Sequence, residues 1–172
     1  GFKETENFGR LEYSFSELVK NCGIDMTECS LIEENGRAHF LTKRFDRENG
    51  RKLHMQTLCG MAHYDFRLKN GHSYEQAFNV MRRLRLPYSQ AQEMFRRIVF
   101  NVVVRNQDDH TKNISFLMDS SGQWSLSPAY DMGFAYNPLG AWTATHQMSI
   151  NGKFDNITRA DLLSLANANN IK

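Results

Sequence analysis

Asn106-Gln107-Asp108-Asp109-His110-Thr111-Lys112-Asn113 follows almost directly on the apolar run Ile98-Val99-Phe100-Asn101-Val102-Val103-Val104. An octet with two acids, a His, a Lys and two Asn cannot be one more turn of a buried helix. It reads as a helix end opening into a site. Asp and Asn at such a place are often only caps. Capping, however, does not call for His110 and Lys112 as well.

Downstream, Ile114-Ser115-Phe116-Leu117-Met118 and Trp124-Ser125-Leu126-Ser127 are short β-prone runs separated by Asp119-Ser120-Ser121-Gly122-Gln123, which has loop chemistry. Antiparallel strands of that length bring their far ends to within about 5 Å of each other. Asp131 of Tyr130-Asp131-Met132 is therefore expected beside Asn113, and one site then holds Asp108, Asn113 and Asp131.

Those residue types suit phosphoryl transfer. A carboxylate can orient an attacking hydroxyl and take its proton, while an amide carbonyl and a second carboxylate are hard oxygen ligands for Mg²⁺. The five-residue step from Asp108 to Asn113 is that of the kinase catalytic loop, and Lys112 offers charge for the transferring phosphate. Asp109 stays open as an alternative base, one residue out of register.

The octet resembles the D-x-H-x-K-N catalytic loop of the HipA-like toxin kinases. Ser127-Pro128-Ala129-Tyr130-Asp131-Met132 is similar to that family's P-x-Y-D metal motif, and Thr42-Lys43-Arg44-Phe45-Asp46-Arg47 to its R-F-D-R adenine hinge. The resemblance runs from about Glu12 to about Ala166. It implies an α+β, predominantly helical fold: a protein-kinase-like C-terminal lobe with short hairpins at the hinge and at the metal site. It also implies an ATP- and Mg²⁺-dependent Ser/Thr protein kinase. Asp108 would be the catalytic base, Asn113 and Asp131 the Mg²⁺ ligands. Lys43, Arg44 and Phe45 would form the hinge, with His110, Thr111, Lys112, Asn113, Tyr130 and Asp131 along the nucleotide. Family partners are a protein substrate such as an aminoacyl-tRNA synthetase and a DNA-binding antitoxin, so any contact with DNA is expected to be indirect or weak. No Gly-rich loop or strand Lys suited to ATP phosphates precedes the hinge, so the chain is expected to be the C-terminal lobe of a larger protein.

Composition is compatible with this. With 172 residues, 41% hydrophobic and 23% charged, one domain with a substantial core is expected. A formal charge of +2 neither demands nor excludes a nucleic-acid partner. No apolar run approaches the roughly 18 residues of a membrane span, and the N-terminus has no signal-peptide pattern. Cys22, Cys29 and Cys59 are odd in number and lack zinc spacing, which favours reduced thiols in a cytoplasmic protein.

Residues 1–10 are expected to be loose, ahead of a lobe spanning 11–172. An amphipathic helix from Leu11 to Cys22 comes first, ended by Gly23. Asn35-Gly36 is the strongest hairpin signal and delivers the hinge, within about 29–45. Met55 to Phe66 has helical spacing. Ser73-Tyr74-Glu75-Gln76, Ser89-Gln90-Ala91-Gln92 and Thr158 with Asp161 are capping signatures. His146 to Ile150 reads as a short strand, and Asn167 to Lys172 as a frayed end. His54 and His63 are too far apart for a metal-binding pair on one helix face. Arg82, Arg83, Arg85, Arg96 and Arg97 make a basic edge. That edge supports an alternative, a non-catalytic module contacting an antitoxin or nucleic acid. A metal phosphohydrolase using Asp108, Asp109, His110 and Asp131 is a weaker third reading.

Overall fold

A computed structural model of the chain describes residues 7–172. Helix α1, Phe8–Asn21, lies on an antiparallel hairpin of β1, Cys29–Glu34, and β2, Arg37–Thr42. The hairpin turns at Asn35 (φ 52°) and Gly36 (φ 77°), the left-handed pair that a two-residue turn demands. Close docking of the helix depends on Gly9, where a Cβ would stand 2.1 Å from the Ala38 carbonyl oxygen. The helix begins at Phe8, not at Leu11, so Phe8–Arg10 are ordered; residues 1–6 of the segment expected to be loose lie outside the described residues.

Beyond the hinge, β3, Arg47–Glu48, pairs with β4, Arg51–Lys52. The chain then departs from expectation. Where a helix was expected over Met55 to Phe66, strand β5, His54–Thr57, precedes a five-residue helix α2, Leu58–Ala62. The cause is a distant partner: β5 pairs antiparallel with β7, Ser115–Met118, matching His54 to Met118 and Thr57 to Ser115. Strand β8, Trp124–Leu126, completes this three-stranded sheet, and the β7–β8 hairpin forms as its two β-prone runs imply. The Asp119 carboxylate organises that turn by accepting from the amides of Ser121 and Gln123.

Strand β6, His72–Ser73, leads into α3, Tyr74–Arg83, through a complete capping box between Ser73 and Gln76. Helix α4, Tyr88–Val104, buries Met94, Arg97, Ile98 and Phe100. Its N-cap is Pro87, so the capping signature at Ser89 is not used; Gln90 instead accepts a hydrogen bond from the Leu126 amide. Val103 is 72% exposed, so not every apolar side chain of α4 is turned to the core. Strand β9, Met148–Ser149, pairs parallel with β6. Helix α5, Arg159–Ala168, starts at the expected Thr158–Asp161 box, and the end expected to fray is pinned by the buried Ile171.

The main core gathers α3, α4, the β5–β7–β8 sheet and α5 around Phe78, Met94, Ile98, Phe116, Met148 and Leu165. A smaller one joins α1 to the site through Val19, Ile24, Phe100, Ala129 and Met132. Of the described residues, 34% are helical and 21% extended, so the fold is mixed rather than predominantly helical. None of the described helices is long and apolar enough to cross a membrane. The three cysteines are free.

The Ser73 box sets where α3 begins, and hence where Tyr74 stands. Ser73→Ala is expected to cost about 1 kcal/mol, read as a lower urea midpoint at unchanged slope.

Candidate active site

Helix α4 stops because Arg105 takes a left-handed conformation (φ 56°), and the chain leaves the helix as the polar octet. Asn106 and Gln107 are both buried, and from Asp108 to Lys112 burial alternates. Asp109 turns inward and is 3% exposed, whereas the Asp108 side chain keeps 47% of its surface. Asp109 Oδ2 accepts from the Tyr74 hydroxyl (2.7 Å) and pairs with His146 Nδ1 (2.9 Å), and Oδ1 accepts from the Gln147 amide (2.7 Å). Asp109 is thus committed to three partners inside the fold. Of the two adjacent acids, Asp108 is the one that faces outward.

Asp108, Asn113 and Asp131 are brought to adjoining cavities. The inner one, about 20 Å³ and roughly the room of a water molecule, includes Arg97, Asn101, Asp109, Asn113 and Asp131 in its wall. The outer one, about 170 Å³, is lined by Asp108 and by apolar side chains including Phe15, Phe40 and Phe134. Asp131 and Asn106 line both. Asp131 has φ 55°, a left-handed backbone that Asp tolerates better than most residues. Asn106 Nδ2 fixes the turn by donating to the Asp131 carbonyl (3.2 Å) and to Asn101 Oδ1 (3.0 Å). Asn113 Nδ2 donates to the Asp108 carbonyl (2.9 Å), which orients its Oδ1 as the remaining acceptor.

Burial raises the Asp108 carboxyl above its ordinary 3.8; His110 opposes the shift, and the negative charges of Asp131 and Asp109 add to it. His110 Nε2 stands 3.8 Å from Asp108 Oδ1. Asp131 shares the inner cavity with Asn113 and the outer one with Asp108, and carboxylate and amide oxygens are of the hard kind that a divalent cation takes.

The other expected site residues divide. Phe45 packs on Tyr130 with ring centroids 5.6 Å apart, which joins the segment after β2 to the Tyr130-Asp131 turn. Tyr130 donates to the Lys112 carbonyl (2.6 Å) and meets Ser115 Oγ, and burial raises its hydroxyl pKa. The side chains of Lys43 and Arg44 turn elsewhere. Lys43 pairs with Glu28 (3.3 Å), and Arg44 grips Asp46 with two bonds, holding that carboxyl at about 2. Thr111 is 1% exposed and packs inward, its carbonyl accepting from the Cys59 amide. The Lys112 ammonium sits 3.6 Å from the centre of the Phe66 ring, a cation–π contact.

Sequence reading missed Tyr74, Asn101, His146 and Gln147. Tyr74 read as part of a capping signature and Asn101 as an interruption in an apolar run; only that interruption was a local signal. Two members of the basic edge are spent internally. Arg97 is buried and bonds Glu93 (2.8 Å), and Arg96 bonds Glu93 and the Gly23 carbonyl.

The raised Asp108 pKa has a consequence for stability. The folded chain holds that proton more tightly than the unfolded one. Ionised Asp108 therefore costs stability in full above the folded pKa; the cost shrinks as pH falls from the folded to the unfolded pKa and is gone below it. Asp108→Asn is expected to raise the neutral-pH melting temperature, and the two melting curves should converge in acid.

Known proteins give this geometry a context. A toxin HipA of Shewanella oneidensis, solved with HipB and operator DNA, superposes with a TM-score of 0.79 at 22% identity, over 99% of this chain and 45% of its own. The Helicobacter pylori proinflammatory kinase CtkA superposes at 0.60 and 16% identity, over 77% of this chain and 49% of its own. These likenesses fix a fold shared with kinases. A Haemophilus influenzae protein bearing a kinase name is 29% identical over 136 residues, 70% of this chain and 39% of that protein. Kinase-named Y4mE of Sinorhizobium fredii is 26% identical over 125 residues, 67% and 30% respectively. The chain thus spans well under half the length of these relatives. Residues 2–172 match the model of the HipA-like C-terminal domain, and the chain belongs to that family.

Proposed function

We propose that the chain is the catalytic lobe of an ATP- and Mg²⁺-dependent Ser/Thr protein kinase from a toxin–antitoxin pair. The observation that carries this is the place of Asp131, which borders Asn113 in the inner cavity and Asp108 in the outer one. The kinase names of its relatives and the kinase-like fold support the same reading.

In this scheme Asp108 orients the substrate hydroxyl and takes its proton. Burial raises the Asp108 pKa, and a more basic carboxylate is a better proton acceptor. Asn113 Oδ1 and the Asp131 carboxylate hold Mg²⁺. When bound, Mg²⁺ and ATP supply the phosphoryl group and a counter-charge for its oxygens. Phe45 and Tyr130 border the nucleotide at the hinge, where Lys43 and Arg44 contribute backbone rather than side chains, and His110 lies on the phosphate side. Lys112 leaves Phe66 if it is to reach the phosphate.

The protein substrate, an aminoacyl-tRNA synthetase by family resemblance, and a DNA-binding antitoxin belong to the whole protein. HipA's association with HipB and operator DNA supports the antitoxin. The alternative of a non-catalytic basic module is weakened by the internal pairing of Arg96 and Arg97.

In full-length protein, transfer of labelled phosphate from ATP to protein is expected to fall about 100- to 10,000-fold in Asp108→Asn, the range for loss of a general base. Calorimetric binding of ATP with Mg²⁺ should survive Asp108→Asn and be lost in Asp131→Ala. Transfer that persists in both variants would reject the assignment.

A further inference from the structure

The cluster around Asp109 takes no part in the scheme above, although its carboxylate is the most completely enclosed acid beside the cleft. Its side chain is 1% exposed and that of His146 5%. Tyr74 is 2% exposed; its hydroxyl donates to Asp109 and accepts from Asn101 Nδ2 (3.1 Å). The three donors to Asp109 come from two places far apart in sequence: the first residue of α3, and the segment entering β9. The β6–β9 pairing locks those two places together, since His72 faces Met148 and Ser73 faces Ser149.

The same segment is tied to the octet twice more. With its amide nitrogen facing them, Gln107 donates to the carbonyls of Thr143 (2.9 Å) and Ala144 (3.2 Å). Gln147 Nε2 donates to the Trp142 carbonyl. Residues 107 and 109 are therefore both fastened to 142–147.

Asp108 and His110 flank Asp109, so fixing the inward carboxylate fixes where both outward side chains emerge. An unpaired carboxylate at this depth is strongly unfavourable, and the chain would shift to hydrate it. A displacement of about 1 Å at a reacting group is enough for roughly a hundredfold loss of rate.

We propose that Tyr74 and His146 are positioning residues, which act through Asp109 to hold Asp108 in register with the substrate hydroxyl. This rests on the kinase reading for its effect on rate, but not for its effect on the loop. His146 lines neither cavity; Tyr74 borders the inner one, but its hydroxyl is taken up by Asp109 and Asn101. Their loss is therefore expected in kcat rather than in nucleotide affinity.

The test uses full-length protein carrying Tyr74→Phe, His146→Ala or His146→Gln. Tyr74→Phe and His146→Ala are expected to lower kcat about 10- to 100-fold, with KM for ATP changed less than about threefold. Amide hydrogen exchange over 106–113 should quicken about tenfold or more while that of α4 is unchanged. His146→Gln keeps a donor and should recover most of the rate.

The proposal is overturned if Tyr74→Phe, which removes one oxygen, leaves both kcat and exchange over 106–113 within about twofold of wild type. A loss confined to KM, or quickened exchange spread evenly over α3, α4 and α5, overturns it as well. If the wild type transfers no phosphate, the kinase reading fails by itself. Exchange confined to 106–113 in the variants then still supports the positioning role, and its absence refutes it.

Discussion

A carboxylate taken out of water must be met by donors at fixed places, and Asp109 meets three. That requirement joins parts of the chain that share little else. The start of α3, the end of α4 and the approach to β9 converge on one side chain. Apolar packing brings the elements near each other, but it tolerates sliding. Hydrogen bonds to a buried charge do not, because each lost partner leaves an uncompensated group. The site is therefore located by a polar node set in an apolar frame.

Around it the frame divides the work. The larger core carries α3, α4, the three-stranded sheet and α5, while the smaller one seats α1 against Ala129 and Met132, on either side of Tyr130-Asp131. The Glu93–Arg97 pair belongs to this second arrangement. Glu93 receives the Asp25 amide (3.0 Å), and the Asp25 carbonyl receives the Ala129 amide (2.7 Å), so α4 reaches the P-x-Y-D turn through two short links. A buried arginine that reads from sequence as part of a basic surface thus fixes the backbone next to Tyr130. Burial lowers its pKa, and the bond to Glu93 holds its charge.

What could be read in the sequence was whatever is decided locally. Asn35-Gly36, Ser73 to Gln76, Thr158 to Asp161 and the Asp119 turn specify their own conformations within four or five residues, and the folded chain has each of them. Met55 to Thr57 failed because strand β7, some sixty residues away, offers a ladder that helical spacing does not reveal. Ser89 failed because Pro87 starts the helix earlier. The two-residue β6–β9 pair leaves almost no trace in sequence. At the site, spacing and residue type picked out the cleft residues Asp108, Asn113 and Asp131. They could not separate Asp108 from Asp109, because adjacent acids differ only in what lies across the fold.

The left-handed backbone at Asp131 also limits how this site can change over time. At φ 55° a β-branched or bulky residue would be strained, and the residues that sit there readily are Asp, Asn and Gly. Asn retains an oxygen but gives up the charge; Gly gives up both. A descendant that abandons the chemistry while keeping its shape has those two substitutions open to it, so a silenced copy should be recognisable from a single codon.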